Sequence, residues 1–232
     1  MYSLHAMADQ RDPRLDPSTV DAVLFDLDGT LMDTDDQMVE NLALRLQRLG
    51  SPRLYRNARR LVMIAETPAN ALMTALDAVG LDTPLLGIWS RLRNLRRDGE
   101  KPSYRMMEDA DRMLADLKHR YSLAVVTTRR REAAEAFLAQ HSLCDVFDVV
   151  VTREDTLRLK PHPAPIRHTA ELLGVQVERC VMVGDTVVDV KSARRAGAKA
   201  VAVTCGFGER AELERAKPAA VLEHVSALSS IL

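Results

Sequence analysis

Residues 20–33 read Val-Asp-Ala-Val-Leu-Phe-Asp-Leu-Asp-Gly-Thr-Leu-Met-Asp, and the fold turns on this stretch. Its apolar first part, residues 20–25, is short and stops abruptly in acid, the pattern of a strand buried on both faces of a parallel sheet. Gly29 then breaks the pattern and forces a turn. Two carboxylates, Asp26 and Asp28, therefore stand at the carboxyl end of a buried strand. Ligands bind outside that edge in open parallel sheets.

Outward from this strand the chain changes character twice. Met38, Leu42, Leu46 and Leu49 recur at helical spacing before Gly50 and Pro52 end the run. Further helical patterns cover 53–65, a segment from Pro68 to Gly80 with Thr67 as N-cap, and 85–97. From residue 105 on, strands and amphipathic helices alternate. Helices are predicted over 106–119, 131–140, 163–173, 187–196 and 225–232, and strands over 123–127, 149–152, 180–183, 200–204 and 221–222. Such alternation implies an α/β fold, a Rossmann-like doubly wound parallel sheet covered on both faces. The first strand is cut off from the others by the helical block. The predicted organisation is a disordered N-terminal segment over 1–18, a Rossmann-like catalytic core over 19–33 and 105–232, and an inserted helical cap over 34–104.

Polar residues at the other strand ends complete a pattern. The strand over 123–127 ends in Thr127 and Thr128, and the strand over 180–183 leads into Gly184 and Asp185, with Asp189 four residues on. Lys160 precedes Pro161 in a loop before a helix. Carboxylates so close raise one another's pKa unless a cation intervenes. Mg²⁺ takes oxygen ligands and is commonly held by one or two carboxylates and a substrate phosphate. The Lys160 ammonium and Thr127 hydroxyl suit the remaining phosphate oxygens, and backbone N–H groups of the Asp28–Gly29 turn suit an anion nest.

The run from Asp26 to Asp33 resembles the first motif of the haloacid dehalogenase superfamily. Thr127 resembles its second motif, Lys160 in the stretch Leu-Lys-Pro-His-Pro-Ala-Pro its third, and the run from Gly184 to Asp189 its fourth. A lone pair of acids is weak evidence; four motifs in order at strand ends are specific. The layout is closest to the phosphoglycolate phosphatase-like group with a small helical cap. The resemblance implies a Mg²⁺-dependent phosphatase acting on a small phosphorylated metabolite through an aspartyl-phosphate. By that resemblance Asp26 is nucleophile and metal ligand. Asp28 protonates the leaving oxygen, then activates water, and ligates the metal through its backbone carbonyl. Thr127 and Lys160 stabilise the transferring phosphoryl group. Asp185 ligates the metal, and Asp189 ligates it or orients a metal-bound water. Thr128 stands where the family commonly has Asn, and Ala65 where the cap often has Gly. Glu66, Thr67 and Asn70 fall at the family's specificity loop, so Glu66, Thr67 and Thr128 join Thr127 and Lys160 as substrate-binding candidates.

Competing readings are separable on residues. A mutase of this superfamily carries His five residues past the acid ending the first motif; here that residue is Met38. Phosphonate cleavage needs a cap lysine, and no Lys precedes Lys101. Dehalogenases lack the second acid, present here as Asp28. A non-catalytic binding protein on this fold is disfavoured because every motif acid is intact. Asp33 is read as a brace at the hinge. Arg129, Arg130 and Arg131 read as a solvated basic run at a helix start, and the arginines of the cap, Arg45, Arg48 and Arg53 among them, as mostly solvent-facing.

Composition bounds the rest. The chain has 232 residues, 47% hydrophobic and 28% charged, with formal net charge −1, so no global field favours nucleic acid or an anionic membrane. Aromatics make up only 4%, leaving packing to aliphatic side chains. Cys144, Cys180 and Cys205 form no paired motif and are expected to be buried thiols of a reducing compartment. The polar first 18 residues contain no apolar stretch suited to a signal peptide, Met7 offers a second start, and no window is long and apolar enough to span a membrane. The expected home is the cytoplasm.

Overall fold

The computed structural model describes residues 15–33 and 104–232. The expected cap, with Glu66 and Thr67, lies outside the described residues. Eight strands are labelled in chain order: β1 (Ala22–Phe25), β2 (Met32–Asp33), β3 (Arg105–Met106), β4 (Ser122–Val126), β5 (Val149–Val151), β6 (Cys180–Gly184), β7 (Lys199–Val203) and β8 (Ala220–Leu222). The described α-helices are α1 (Ala110–Lys118), α2 (Arg131–Gln140), α3 (Ala164–Leu173), α4 (Val187–Ala196) and α5 (Arg210–Arg215).

Six strands form one parallel sheet in the order β5-β4-β1-β6-β7-β8. From β1 the chain winds outward to β4 and β5, then returns to β6 beside β1 and winds the other way. β1 therefore lies at the switch point where a doubly wound sheet opens a crevice at its carboxyl edge.

Alternation along each strand divides the core. Val23 and Phe25 of β1, with Leu123 and Val125 of β4 and Val181 and Val183 of β6, pack on one face. There α1 buries Ala110, Met113, Leu114 and Leu117, a helical stripe, and α2 adds Phe137 and Leu138. Ala22 and Leu24, with Ala124, Val126, Met182, Ala200 and Ala202, face the other way onto α3 and α4. The alanines of this second face leave room for α3 and α4 to pack closely; Lys160 lies in the loop that leads into α3, and α4 carries Asp189.

The small ribbon of β2 and β3 is antiparallel, pairing Met32 with Met106 and Asp33 with Arg105. It joins the two points at which the chain leaves and re-enters the described core, so Asp33 sits where a brace was expected. Met106 is thus in a strand and not in the predicted helix over 106–119. Its partner Met32 is distant in sequence, and α1 starts only at Ala110. Three other expectations change. Leu15 is buried and Asp16 accepts from the Ser18 amide at the start of a 3-10 turn, Pro17–Thr19, so the end of the segment assigned to disorder is packed. The predicted final helix is the 3-10 helix Val225–Ser230. Helix α5, unanticipated, buries Leu213 against the second face. Among the cysteines Cys180 is buried, which pushes its thiol up to about 12, while Cys144 is exposed, against expectation, in a turn after α2.

Candidate active site

Asp26 continues β1 by one residue. Its amide donates to the Val183 carbonyl at 2.9 Å, holding it in line with β6. Lys160 reaches it from the loop before α3: Nζ donates to Asp26 Oδ1 at 2.8 Å, Asp189 Oδ1 at 2.6 Å and the Val126 carbonyl at 2.9 Å. All three donor directions of the ammonium are used, so its position is determined by β1, β4 and α4 together. Asp189 lies in the first turn of α4, where the Thr186 amide and hydroxyl both donate to its Oδ2 in a capping box. Oδ2 caps the helix while Oδ1 faces Lys160, so the cap leaves one carboxylate oxygen directed into the cluster.

Asp185 follows β6 and is fully buried. Oδ2 accepts from the Phe207 amide at 2.7 Å, and Thr30 Oγ1 approaches Oδ1 at 3.4 Å. The loop after β7 closes over it so tightly that a Cβ on Gly206 would lie 2.2 Å from Asp185 Oδ2, and one on Gly29 would lie 2.3 Å from it. Gly29 also has φ +70°, a conformation side chains disfavour. Glycine is required at both positions for the backbone to approach the carboxylate.

Asp26, Asp185 and Asp189 each offer an oxygen within 4.8 Å of the others. Set against the single ammonium of Lys160, three buried carboxylates carry two negative charges in excess when all are ionised. Burial pushes Asp26 up to about 7, helped by Asp189 and Asp28, while Lys160 opposes the rise. Burial and the charges of Asp189 and Asp26 likewise raise Asp185 well above the ordinary carboxylate range. Burial alone would lower the Lys160 ammonium, but Asp189 and Asp26 outweigh it and hold it up. Burial is the first cause of the rise of the two acids; the excess of negative charge adds to it and is what holds the ammonium up. A compact all-oxygen donor set with that deficit suits a hard divalent cation such as Mg²⁺.

Asp28 is different. Its carboxylate stands outside the three-acid cluster, about a quarter exposed, and is gripped side-on by Arg129, whose Nε donates to Oδ2 at 2.6 Å and whose Nη2 donates to Oδ1. The expected anion nest in this turn is not formed by Gly29, whose amide donates to the Met32 carbonyl at 2.9 Å. Thr127 is buried after β4, and its Oγ1 accepts from the Arg129 amide at 3.1 Å; Thr128 is exposed beside it.

The arginine run is therefore not uniformly solvated. Arg130 is largely exposed, and Arg131 pairs with Asp155 at 2.7 Å, but Arg129 turns inward to Asp28, with its guanidinium carbon 5.6 Å from the centre of the Tyr104 ring. Arg129 and the Gly206–Phe207 backbone are the site features that sequence reasoning missed. The Cys-Gly-Phe-Gly run directly after a parallel strand was a signal available for the second.

The family model for haloacid dehalogenase-like hydrolases matches residues 23–203. The chain belongs to the haloacid dehalogenase-like hydrolases. Among curated relatives, the pyrophosphatase PpaX of Bacillus mycoides is 32% identical over 213 residues, covering 92% of this chain and 97% of that protein. Among solved structures, a predicted phosphoglycolate phosphatase from Haemophilus somnus aligns with TM-score 0.67 at 22% identity, covering 92% of this chain and 98% of that one. A candidate beta-phosphoglucomutase from Thermotoga maritima gives TM-score 0.67 at 23% identity, covering 92% and 100%. At these identities the structural likeness speaks for the fold. As a haloacid dehalogenase-like protein the chain is a hydrolase, and the four motifs converge in space at the carboxyl edge of its sheet.

Proposed function

We propose that this hydrolase is a Mg²⁺-dependent phosphatase that hydrolyses a small phosphorylated metabolite through an aspartyl-phosphate on Asp26. The observation that carries the reading is the placement of two acids two residues apart in unlike surroundings. Asp26 is buried beside Lys160, Asp185 and Asp189, whereas Asp28 stands outside that cluster at its edge. Asp26, Asp185 and Asp189 would hold the cation with their carboxylates and Asp28 with its backbone carbonyl. Bound there, Mg²⁺ would offset the charge of the phosphate and of the buried acids.

The chain's own residues do the rest. An Asp26 carboxylate oxygen attacks phosphorus, the bond from phosphorus to the leaving oxygen breaks, and Asp28 supplies the proton that oxygen needs. Water then attacks the phosphorus of the aspartyl-phosphate, Asp28 takes its proton, and Asp26 is regenerated with release of phosphate. Lys160 and Thr127 bear on the charge of the transferring group, and Thr128, Glu66 and Thr67 are the substrate-contacting candidates. The segment 34–104 is read as the cap that selects substrate. The reading places the enzyme in the cytoplasm, where free thiols such as Cys144, Cys180 and Cys205 persist; no helix among the described residues is long and apolar enough to cross a membrane.

Phosphoglycolate enters the candidate substrates through the family layout and inorganic pyrophosphate through the PpaX relative. The test is release of phosphate from p-nitrophenyl phosphate and a panel of esters with Mg²⁺ and with EDTA. Metal-dependent release is expected, and Asp26→Asn should lower it by about 10³-fold or more, as loss of a nucleophile does. A panel without any metal-dependent release, or full activity in Asp26→Asn, would sink the mechanism.

A further inference from the structure

The ion pair between Asp28 and Arg129 is not required by the reaction just described, and it obstructs it. A carboxylate whose two oxygens both accept from one guanidinium is held facing that guanidinium and is not free to swing toward a leaving oxygen. The pair has to open for Asp28 to act, and the guanidinium then needs another oxyanion with two oxygens to grip. Three features place Arg129 to find one on the substrate. Its amide donates to Thr127 Oγ1, so it follows the residue expected to meet the transferred phosphate. Its head lies beside Asp28, which must touch the leaving oxygen, and is near enough to Asp26 to feel its charge. Among the described residues its Nη1 has no hydrogen-bond partner, and the guanidinium face rests over the Tyr104 ring, which orients the fork without occupying its donors.

We propose that Arg129 is a specificity residue that binds an anionic group on the leaving side of the substrate, so that the site favours phosphate compounds whose leaving group carries a carboxylate or a second phosphate close to the bridging oxygen. This rests on the phosphatase reading above and narrows its substrate class. In the substrate-free protein Asp28 stands in for that anion. A substrate of this class exchanges one charge-assisted pair for another and leaves Asp28 oriented toward the leaving oxygen. An ester with a neutral leaving group offers no such exchange.

The experiment compares kcat/KM of the full-length protein with Mg²⁺ on 2-phosphoglycolate, inorganic pyrophosphate and ethyl phosphate, for the wild type, Arg129→Gln and Arg129→Lys. The wild type is expected to prefer one or both anionic compounds, and the preferred one identifies the group as carboxylate or phosphate. Arg129→Gln should lower that preference over ethyl phosphate by about 10- to 100-fold, the worth of a charged hydrogen-bond pair, chiefly through KM. Arg129→Lys, which keeps the charge but loses the fork and is the milder change for folding, should fall between. Equal losses on all three compounds would overturn the inference and leave Arg129 as a residue that only positions Asp28. So would a wild type indifferent to leaving-group charge. Absence of turnover on all three and on the wider ester panel would instead overturn the phosphatase reading, and the inference with it.

Discussion

Asp26 and Asp28 are two residues apart and share a side-chain type, yet one is buried among acids and held by an ammonium while the other is part-exposed and held by a guanidinium. Environments that differ in this way allow two carboxylates to divide a nucleophile's role from a proton carrier's. Lys160 is the residue on which the buried half depends. Among the described residues it is the one cation touching both Asp26 and Asp189, and its side chain is 3% exposed. Replacing it with Met leaves the cluster's negative charge unopposed. Lys160→Met should therefore cost about 3–5 kcal/mol of unfolding free energy, the range for breaking a buried pair from one side. Urea denaturation in EDTA at pH 8 measures it, with Mg²⁺ expected to restore part of the loss; a variant within about 1 kcal/mol of wild type would show that Lys160 does not neutralise the cluster.

At the scale of elements, the site is assembled from loops that leave the carboxyl ends of β1, β4, β5, β6 and β7, and the last of these is held by glycine. A methyl group on Gly206 would meet both Asp185 Oδ2 and, at 2.5 Å, the Gly29 carbonyl, so the loop has to retreat and take the Phe207 amide with it. Gly206→Ala should raise the Mg²⁺ concentration for half-maximal activity by about 10-fold or more, as loss of a group that orients a ligand does, with little change in the far-ultraviolet circular dichroism. An unchanged metal requirement would mean that the loop does not orient Asp185. This loop also shows where reading the sequence stopped. The parallel strands were legible because short apolar runs end in polar residues, and α2 and α4 run over 131–140 and 187–196 as their spacing predicts. Asp26, Thr127, Asp185 and Asp189 stood out because they follow predicted strands, and Lys160 through the motif around it; the fold brings Lys160 onto Asp26 and Asp189 and Asp185 beside them. Strand β3 was not legible, because its partner Met32 is non-local. Arg129 was not, because three consecutive arginines carry no mark of which one the loop turns inward.

Across the whole molecule the formal charge is −1, so the site's excess of negative charge is local and arises on folding. The consequence for stability follows from the direction of each shift. Burial raises Asp26 from its ordinary 3.8 to about 7 and raises Asp185 in the same sense, so their contribution to stability is present at low pH and is lost as pH rises through the folded-state value. Asp16, Asp21, Asp148 and Asp155 are shifted down, so their contribution changes only at lower pH, below the ordinary carboxylate range. Lys160 is shifted up and keeps its contribution through neutrality. His162, shifted down by burial and by Arg158, works in the opposite sense near its ordinary 6.5, but it lies in a partly exposed loop. In EDTA the buried acids should therefore make the protein less stable at pH 8 than at pH 5. Metal binding needs the same acids ionised and competes with their protons, so Mg²⁺ should raise the melting temperature more at pH 8 than at pH 5. Asp26→Asn removes one of the titrating acids. It should flatten the pH dependence in EDTA and raise the melting temperature of metal-free protein at pH 8. Thermal melts of both proteins across pH 5–8, with and without Mg²⁺, test the linkage. A Mg²⁺ effect of the same size at every pH, or an Asp26→Asn variant with the wild-type slope, would place the pH-sensitive charge elsewhere in the fold.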